Sequence, residues 1–301
     1  MRKSIARRAG ISVAAVAVLA GVTSCQGGSD KAEGGRRDSG KGSVTHALSA
    51  AYKKTAAAKS AKVTMSMTTP AGMPDSGVTK MSGVMGWDPM VMDVTMTESP
   101  LGAKAGDGAE KTHMIWLDDA MYVDMNERPE EFDGKRWGKL DLGAALKQSD
   151  NAKLVKQMTA GLDDMKQDPA QQLAMLLGSP DVKHLGSGEV NGERAEHYKG
   201  SLTIEEGLKG AKTAQALSPE EREKLLANAK KAGVKGYTYD VWVNGDDYPV
   251  KMDMDVKTPQ GAISTTMDLS DYGTKASVKA PPADDTVDLI KELQKLTTQG
   301  A

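Results

Sequence analysis

A single thiol is the residue whose surroundings specify a reaction most clearly. Cys25, the only cysteine among 301 residues, closes the segment Val22-Thr23-Ser24-Cys25. It follows an apolar run that begins at Ile11, and Arg2, Lys3, Arg7 and Arg8 come before that run. Basic residues, then a short apolar stretch, then small residues is the order of an export signal. The run is about a dozen residues long, well short of the ~20 that cross a bilayer core. A cysteine directly after the small residues is the pattern of a bacterial lipobox. There the thiol accepts diacylglycerol, the signal is cut before Cys25, and palmitate is incorporated into the anchor. An odd cysteine in an exported chain is accounted for by that lipidation.

The remaining candidates for chemistry do not assemble into a catalytic set. His46, His113, His184 and His197 show no metal-ligand spacing, and no HExxH pattern occurs. Gly186-Ser187-Gly188 lacks the Gly-x-Ser-x-Gly frame of a nucleophile elbow, so Ser187 reads as a turn residue. Asp253 and Asp255 alternate with Met252 and Met254, which places the two carboxylates on the face opposite the methionines. Asp118-Asp119, Asp163-Asp164 and Asp246-Asp247 fall where solvated strand or helix ends are expected. Gly106-Asp107-Gly108 does not complete a phosphate loop. The sequence predicts a protein that is not an enzyme and holds neither metal nor cofactor.

Loss of residues 1–24 removes four basic side chains and no acidic one, leaving 35 Lys and Arg against 41 Asp and Glu, a formal charge of −6. That balance draws the mature chain neither to nucleic acid nor to anionic headgroups, so membrane attachment is expected to rest on the acyl chains of Cys25. Residues 25–43 follow as a tether of mostly Gly, Ser, Asp, Lys, Glu and Arg, which cannot bury enough apolar surface to order. Such a tether holds the rest of the chain ~25 Å from the membrane. Residues 44–301 then read as one domain, long enough to bury a core or enclose a cavity, and monomeric.

The elements that would position anything in that domain are written in two periods. Val44 to Lys59 is alanine-rich and free of Gly and Pro, which suits a helix. Period two follows in Val63-Met65-Met67, in Met90-Met92-Val94-Met96 and in Met121-Val123-Met125, with mostly polar residues between and Val91 the apolar exception. Val78 to Trp87 and Lys111 to Leu117 are expected to add two more strands. The middle is expected to be helical, with Leu154, Val155, Met158, Leu162 and Met165 on one face. Asp168-Pro169 then starts a helix that Gly178 stops. Asn191-Gly192 predicts a hairpin turn, and Ser218-Pro219-Glu220-Glu221 the start of a helix ending at Gly233. Tyr237 to Asn244, Val250-Met252-Met254-Val256 and Ile263-Thr265-Met267-Leu269 form an antiparallel meander. An amphipathic helix from about Asp285 to Leu296 is expected to close the chain.

The order of these segments carries a resemblance. Tyr239-Asp240-Val241-Trp242-Val243-Asn244, then Tyr248-Pro249-Val250-Lys251-Met252 and a strand ending at Tyr272, resembles the closing meander of the LppX/LprAFG lipoproteins of actinobacteria. These are relatives in fold of the LolA and LolB lipoprotein carriers. Asp181-Val182-Lys183-His184-Leu185-Gly186, the Val190-Asn191-Gly192 hairpin, the early alanine-rich helix and the lipobox fit the same layout. The resemblance implies an α+β fold: a curved antiparallel half-barrel whose concave face is covered by helices, with a lipid-sized apolar cavity between. In that family the cavity holds acyl chains of cell-envelope lipids.

Eighteen methionines supply the apolar faces, since Phe132 is the only phenylalanine. Methionine is unbranched and polarisable, suited to a surface that adapts to variable apolar partners. The expected cavity wall is Val63, Met65 and Met67 from one strand, and Met92, Val94 and Met96 from a second. Met121 and Val123 come from a third, and Met252, Met254 and Met267 from the closing meander. The reading is a lipid-anchored lipoprotein on the extracytoplasmic face of the cell membrane that binds an acylated lipid and carries or presents it in the envelope. The rival is an interaction or sensor lipoprotein with a dry core and no lipid ligand.

Overall fold

The alternation of methionine with threonine, serine and aspartate decides the architecture, because period two gives each strand one apolar face. The computed structural model describes residues 38–73, 76–98, 111–117, 119–125, 132–142, 168–210 and 219–292. In it, β1 (Ser60–Thr69), β2 (Gly77–Trp87), β3 (Met90–Glu98), β4 (Thr112–Leu117), β5 (Ala120–Asp124) and β6 (Trp137–Asp141) form a first meander. A second comprises β7 (Lys183–Val190), β8 (Glu193–Leu202), β9 (Gly236–Asn244), β10 (Pro249–Thr258) and β11 (Gly261–Ser270). β1 and β11 pair antiparallel, which fuses the meanders into one open, curved sheet of twelve strands. The twelfth strand, β12 (Thr286–Asp288), is the single parallel partner, laid against β6.

Register carries the apolar pattern across strand after strand. Met65 stands opposite Met81 and Met267, Met267 opposite Met252, and Met85 opposite Met92. Among the described residues, two helices cover this inner face. α1 (Asp38–Ala58) brings down Val44, Leu48 and Ala51, and α2 (Pro169–Leu177) brings Leu173, Met175 and Leu176, all in one core with the strands. α2 starts as its sequence predicts, with the Asp168 carboxylate accepting from Gln171 N–H at 2.5 Å and Pro169 in the first turn. Asn191 and Gly192 turn the β7–β8 hairpin with φ of 53° and 80°, the left-handed pair that such a tight turn requires. Two further helices lie between β8 and β9, α3 (Ile204–Gly210) and α4 (Pro219–Lys231).

Several boundaries differ from the sequence expectation. α1 opens at Asp38, so residues 38–43, read as tether, have helical backbone; once the Val44–Ala58 segment is helical, each added residue costs little. The chain end is not helical from Asp285. Ala283–Asp285 is a 3-10 turn, and Val287 is buried in β12 because strand pairing with β6 gives it a covered site. A helix starts only at Leu289, with the Asp288 carboxylate accepting from Ile290 and Lys291 N–H groups. Ser187 lies in β7 opposite Glu196, where Arg194 donates to its hydroxyl at 2.9 Å; Gly186, at φ 117°, supplies the local irregularity instead. The expected helix through Leu154 and Met165, the signal, Cys25, Asp118, Asp163-Asp164 and Gly106-Asp107-Gly108 lie outside the described residues.

Asp181 ties the approach to β7 onto β8. Its carboxylate accepts from the hydroxyls of Ser179 at 2.6 Å and Ser201 at 2.5 Å, and from Ser201 N–H at 2.7 Å. Burial pushes this carboxyl up, but those hydrogen bonds outweigh it and hold the pKa at about 2. A depressed carboxyl stabilises the fold above its unfolded pKa of ~3.9 and loses that contribution as pH falls through about 2. Asp181→Asn is therefore expected to cost about 1 kcal/mol at pH 7, with the difference from the wild type shrinking at pH 2. Thermal unfolding of both proteins at the two pH values checks this; an equal penalty at both would refute it.

Candidate functional site

The inner face has a closed end and an open end, and the difference is built by aromatic side chains. At the end where β1 begins, Trp87 Nε1 donates to Thr55 O of α1 at 3.1 Å, and Tyr272 packs edge-on against Trp87 with centroids 6.3 Å apart. Tyr272 also stacks on Tyr248 at 4.3 Å and donates its hydroxyl to Pro249 O at 2.7 Å. Lys54 of α1 sits over the Tyr248 ring at 5.4 Å. Burial pushes the Tyr272 hydroxyl well above its usual range, so it remains a neutral donor there. This clamp pins the C-terminal part of α1 over the beginnings of β1 and β10.

Away from the clamp the cover thins. Along β1, Ala61 and Val63 are buried, Met65 is half-buried, and Met67 is 37% exposed. β10 repeats the sequence, with Val250 and Met252 buried and Met254 and Val256 half-buried. β11 runs the other way and shows the mirror order: Ile263 half-buried, then Met267 and Leu269 buried. On β3, Met92 and Val94 are buried while Met96 is half-buried, and on β5 both Met121 and Val123 are half-buried. Every one of the eleven residues expected to wall a cavity points to this one face by register. Five of them, Val63, Met92, Val94, Met252 and Met267, are buried in the close-packed part; of the other six, Met65, Met96, Met121, Val123 and Met254 are half-buried and Met67 is exposed.

The polar residues weighed in the sequence take separate places. Asp253 and Asp255 lie on the outer face, with Lys251 at 3.2 Å from Asp253 and the Ser264 hydroxyl donating to Asp255 at 2.6 Å. His113 pairs with Asp93 at 2.7 Å, His184 with Glu196 at 2.6 Å and His197 with Asp240 at 2.6 Å. His197 stacks flat on Trp242, whose ring also lies 4.8 Å from Lys251 Nζ. Among the described residues, no group of three His, Cys, Asp or Glu is arranged to hold a metal. Asp246 and Asp247 lie in the β9–β10 turn, where Asn244 Oδ1 accepts from Asp246 N–H and the Asn244 backbone carbonyl accepts from Asp247 N–H, each at 3.1 Å.

The outer face of the first meander holds something the alternation hid. Ile115, Ala120, Tyr122 and Trp137 form a second buried cluster there, completed by Leu117 and Val278. The segment after β11 supplies Val278 and ends in β12, so it covers these side chains on its way to β6. Tyr122 stands where the alternation of Met121, Val123 and Met125 predicts solvent, and Trp137 joins it from β6, where no strand was expected.

No family model matches the chain. An uncharacterised 31.2 kDa protein from the rplA-rplJ intergenic region of Streptomyces griseus is 32% identical over 265 residues, which are 85% of this chain and 82% of that protein. This chain belongs to the same family. A candidate lipoprotein of Streptomyces coelicolor is 29% identical over 334 aligned positions that take in 100% of both chains. Among solved structures, the Mycobacterium tuberculosis lipoprotein LppX aligns with 79% of this chain and 99% of its own at 14% identity and a TM-score of 0.47. LppX is one of the lipoproteins that the order of the motifs resembles.

Proposed function

We propose that this is a lipoprotein, anchored through Cys25 on the extracytoplasmic face of the membrane, that holds an acyl chain of an envelope lipid against the open half of its inner face. The observation that carries the proposal is the burial gradient: an apolar face runs from beneath α1 out to Met67 and Met96, with Thr79, Thr112 and Thr265 standing among the methionines at its outer end. Half-buried methionines side by side on such a face leave apolar surface that an acyl chain could cover. Methionines at Met65, Met254, Met96 and Met121 can change rotamer at small cost to fit chains of different shape. Each buried methylene contributes about 0.8 kcal/mol, so one long chain binds without a dedicated polar contact. Binding and release by partition then need no catalytic group.

The test is the protein purified from bacterial membranes in its lipidated form, examined by native mass spectrometry and by solvent extraction. The expected result is acylated lipid in roughly molar amount beyond the anchor itself. A second reading has its own observation, the five wall residues that are already buried against α1 and α2. It makes the face a dry scaffold for an interaction or sensor protein, and a mass accounted for by the anchored chain alone would favour it.

A further inference from the structure

The outer face of the sheet carries a trough walled by two pieces of chain that stand on it. One wall is the tip of the β7–β8 hairpin, which reaches past β9 and β10 until Asn191 Nδ2 donates to Asp268 Oδ1 of β11 at 2.8 Å. Glu193 beside it accepts from Asn244 Nδ2 at 2.9 Å. The other wall is the segment after β11, tied down where Gly273 N–H donates to Ser60 O at 2.9 Å and the Ser60 hydroxyl to Thr274 O at 2.5 Å. Between them the floor is a row of short polar side chains set opposite one another, Asp268, Thr64, Ser82 and Thr95, on β11, β1, β2 and β3. The lobe at the hairpin encloses about 460 Å³ and the lobe at the other wall about 350 Å³; both are lined by Ser82, Gly83 and Val84, so they join. Ligand sites occupy ~300–1,000 Å³, and each lobe falls in that range.

The hairpin lobe is short of cations. Lys62 lines it and is held by Asp271 at 2.7 Å. Lys251, opposite Asp268 across the strands, turns instead to Asp253 at 3.2 Å and to the Trp242 ring at 4.8 Å. Asp268 and Glu193 are left with side-chain amides as partners, and among the described residues neither forms an ion pair. In the second lobe Asp93 is met by His113 at 2.7 Å, and Lys275 is exposed. A neutral amide satisfies one oxygen of a carboxylate and leaves its charge uncompensated, so the hairpin lobe attracts an ammonium or guanidinium group. Among the described residues no aromatic ring lines either lobe, which leaves charge and hydrogen bonds as the means of recognition.

The second wall shows what such a face accepts. From Thr274 to Ala280 the chain makes no strand pairing, yet its burial alternates: Thr274, Ala276 and Val278 are half-buried, and Lys275, Ser277 and Lys279 are exposed. That is the alternation of an extended chain laid on a surface. Ala276 sits close to β2, since a Cβ on Gly86 would stand 3.3 Å from it, and Val278 packs against the second buried cluster. Small side chains go down and lysines go out. We propose that the trough beside this segment binds a second extended segment, a peptide of a partner protein, whose lysine or arginine side chain is taken by Asp268 and Glu193. The contact lies on the face opposite the methionines, so it goes beyond lipid binding and does not depend on it.

The probe is a fluorescein-labelled peptide copying Thr274 to Ala280, and its control carries glutamine in place of both lysines. Fluorescence anisotropy is measured against the lipidated chain in detergent micelles. The expected result is saturable binding of the lysine peptide, with the control weaker by about tenfold or more. Asp268→Asn and Glu193→Gln keep the oxygens that accept from Asn191 and Asn244, so thermal unfolding should be unchanged. Each should still weaken the peptide by about tenfold, through loss of a charge-assisted hydrogen bond. Ser82→Tyr fills the floor that the two lobes share and should block the peptide altogether. Binding that ignores all three substitutions would place the peptide on the seat of segment 274–280 itself and overturn the proposal, as would equal affinity for the control or no binding at all. Free lysine amide competing as well as the peptide would assign the carboxylates to a small amine. Maltohexaose bound in place of the peptide, by the wild type and both charge variants but not by Ser82→Tyr, would assign the trough to glycans. Either of those results overturns the peptide as occupant.

Discussion

Met254→Trp and Met65→Trp are expected to lower binding of a fluorescent fatty acid by tenfold or more while leaving the apo protein nearly as stable as the wild type. Both methionines are half-buried on the open part of the inner face, so an indole there has room in the empty protein and collides with an acyl chain in the loaded one. Met252→Trp and Met92→Trp should do the reverse. Those side chains are 2% and 5% exposed and close-packed under α1 and α2, where added bulk costs about 1–3 kcal/mol of stability. The measurements are displacement of the fluorescent lipid and thermal unfolding of the delipidated protein. The contrast between the pairs is the diagnostic. If all four variants lose stability alike and the wild type binds no fluorescent lipid, the inner face is a dry core throughout.

That contrast was only half legible in the sequence. Period two put Met65, Met252, Met254 and Met92 on one face, because a strand leaves no other choice for alternate residues. It could not rank them, since depth along a strand depends on where α1 and α2 lie. That placement comes from Trp87, Tyr248 and Tyr272, which meet from distant parts of the chain to form the clamp. The same limit hid the second cluster. Tyr122 and Trp137 occupy positions that alternate with the inner face, and they are buried only because a segment from beyond Tyr272 crosses over them. Local chemistry read well where it was self-contained, as at Asp168-Pro169 and Asn191-Gly192.

Other misses had different causes. β6 is five residues, Trp137–Asp141, with Gly and Lys in its middle, too short for a period to show; it is a strand because β5 and β12 pair with it. α3 did announce itself. Thr203 and Glu206 form a reciprocal capping box, with Thr203 N–H donating to the Glu206 carboxylate at 2.8 Å and Glu206 N–H to the Thr203 hydroxyl at 3.2 Å. That spacing can be read from sequence, and only the shortness of the apolar run after it hid the helix. Ser187 shows the converse error, since two flanking glycines suggested a turn. Pairing with β8 keeps the segment extended, and Gly186 alone takes the left-handed conformation.

The second large effect is expected at the N-terminus. Cys25→Ala should remove all incorporation of labelled palmitate and leave the chain uncut. Diacylglycerol transfer requires the thiol, and cleavage at a lipobox requires the modified cysteine; no other cysteine can substitute, because the chain has none. The variant should migrate as a species longer by residues 1–24, held at the membrane by an apolar run about a dozen residues long rather than by acyl chains. Such a run is too short to span, so alkaline carbonate should release a larger share of the variant than of the wild type. Lipid loading gives an independent check on how the anchor relates to the inner face. If the anchor serves only to keep the domain near the bilayer, the variant should bind fluorescent fatty acid as tightly as the wild type while losing most of its acquired envelope lipid. Equal palmitate incorporation in the two proteins would show that the acylation is elsewhere and would remove the anchor that the proposed function requires.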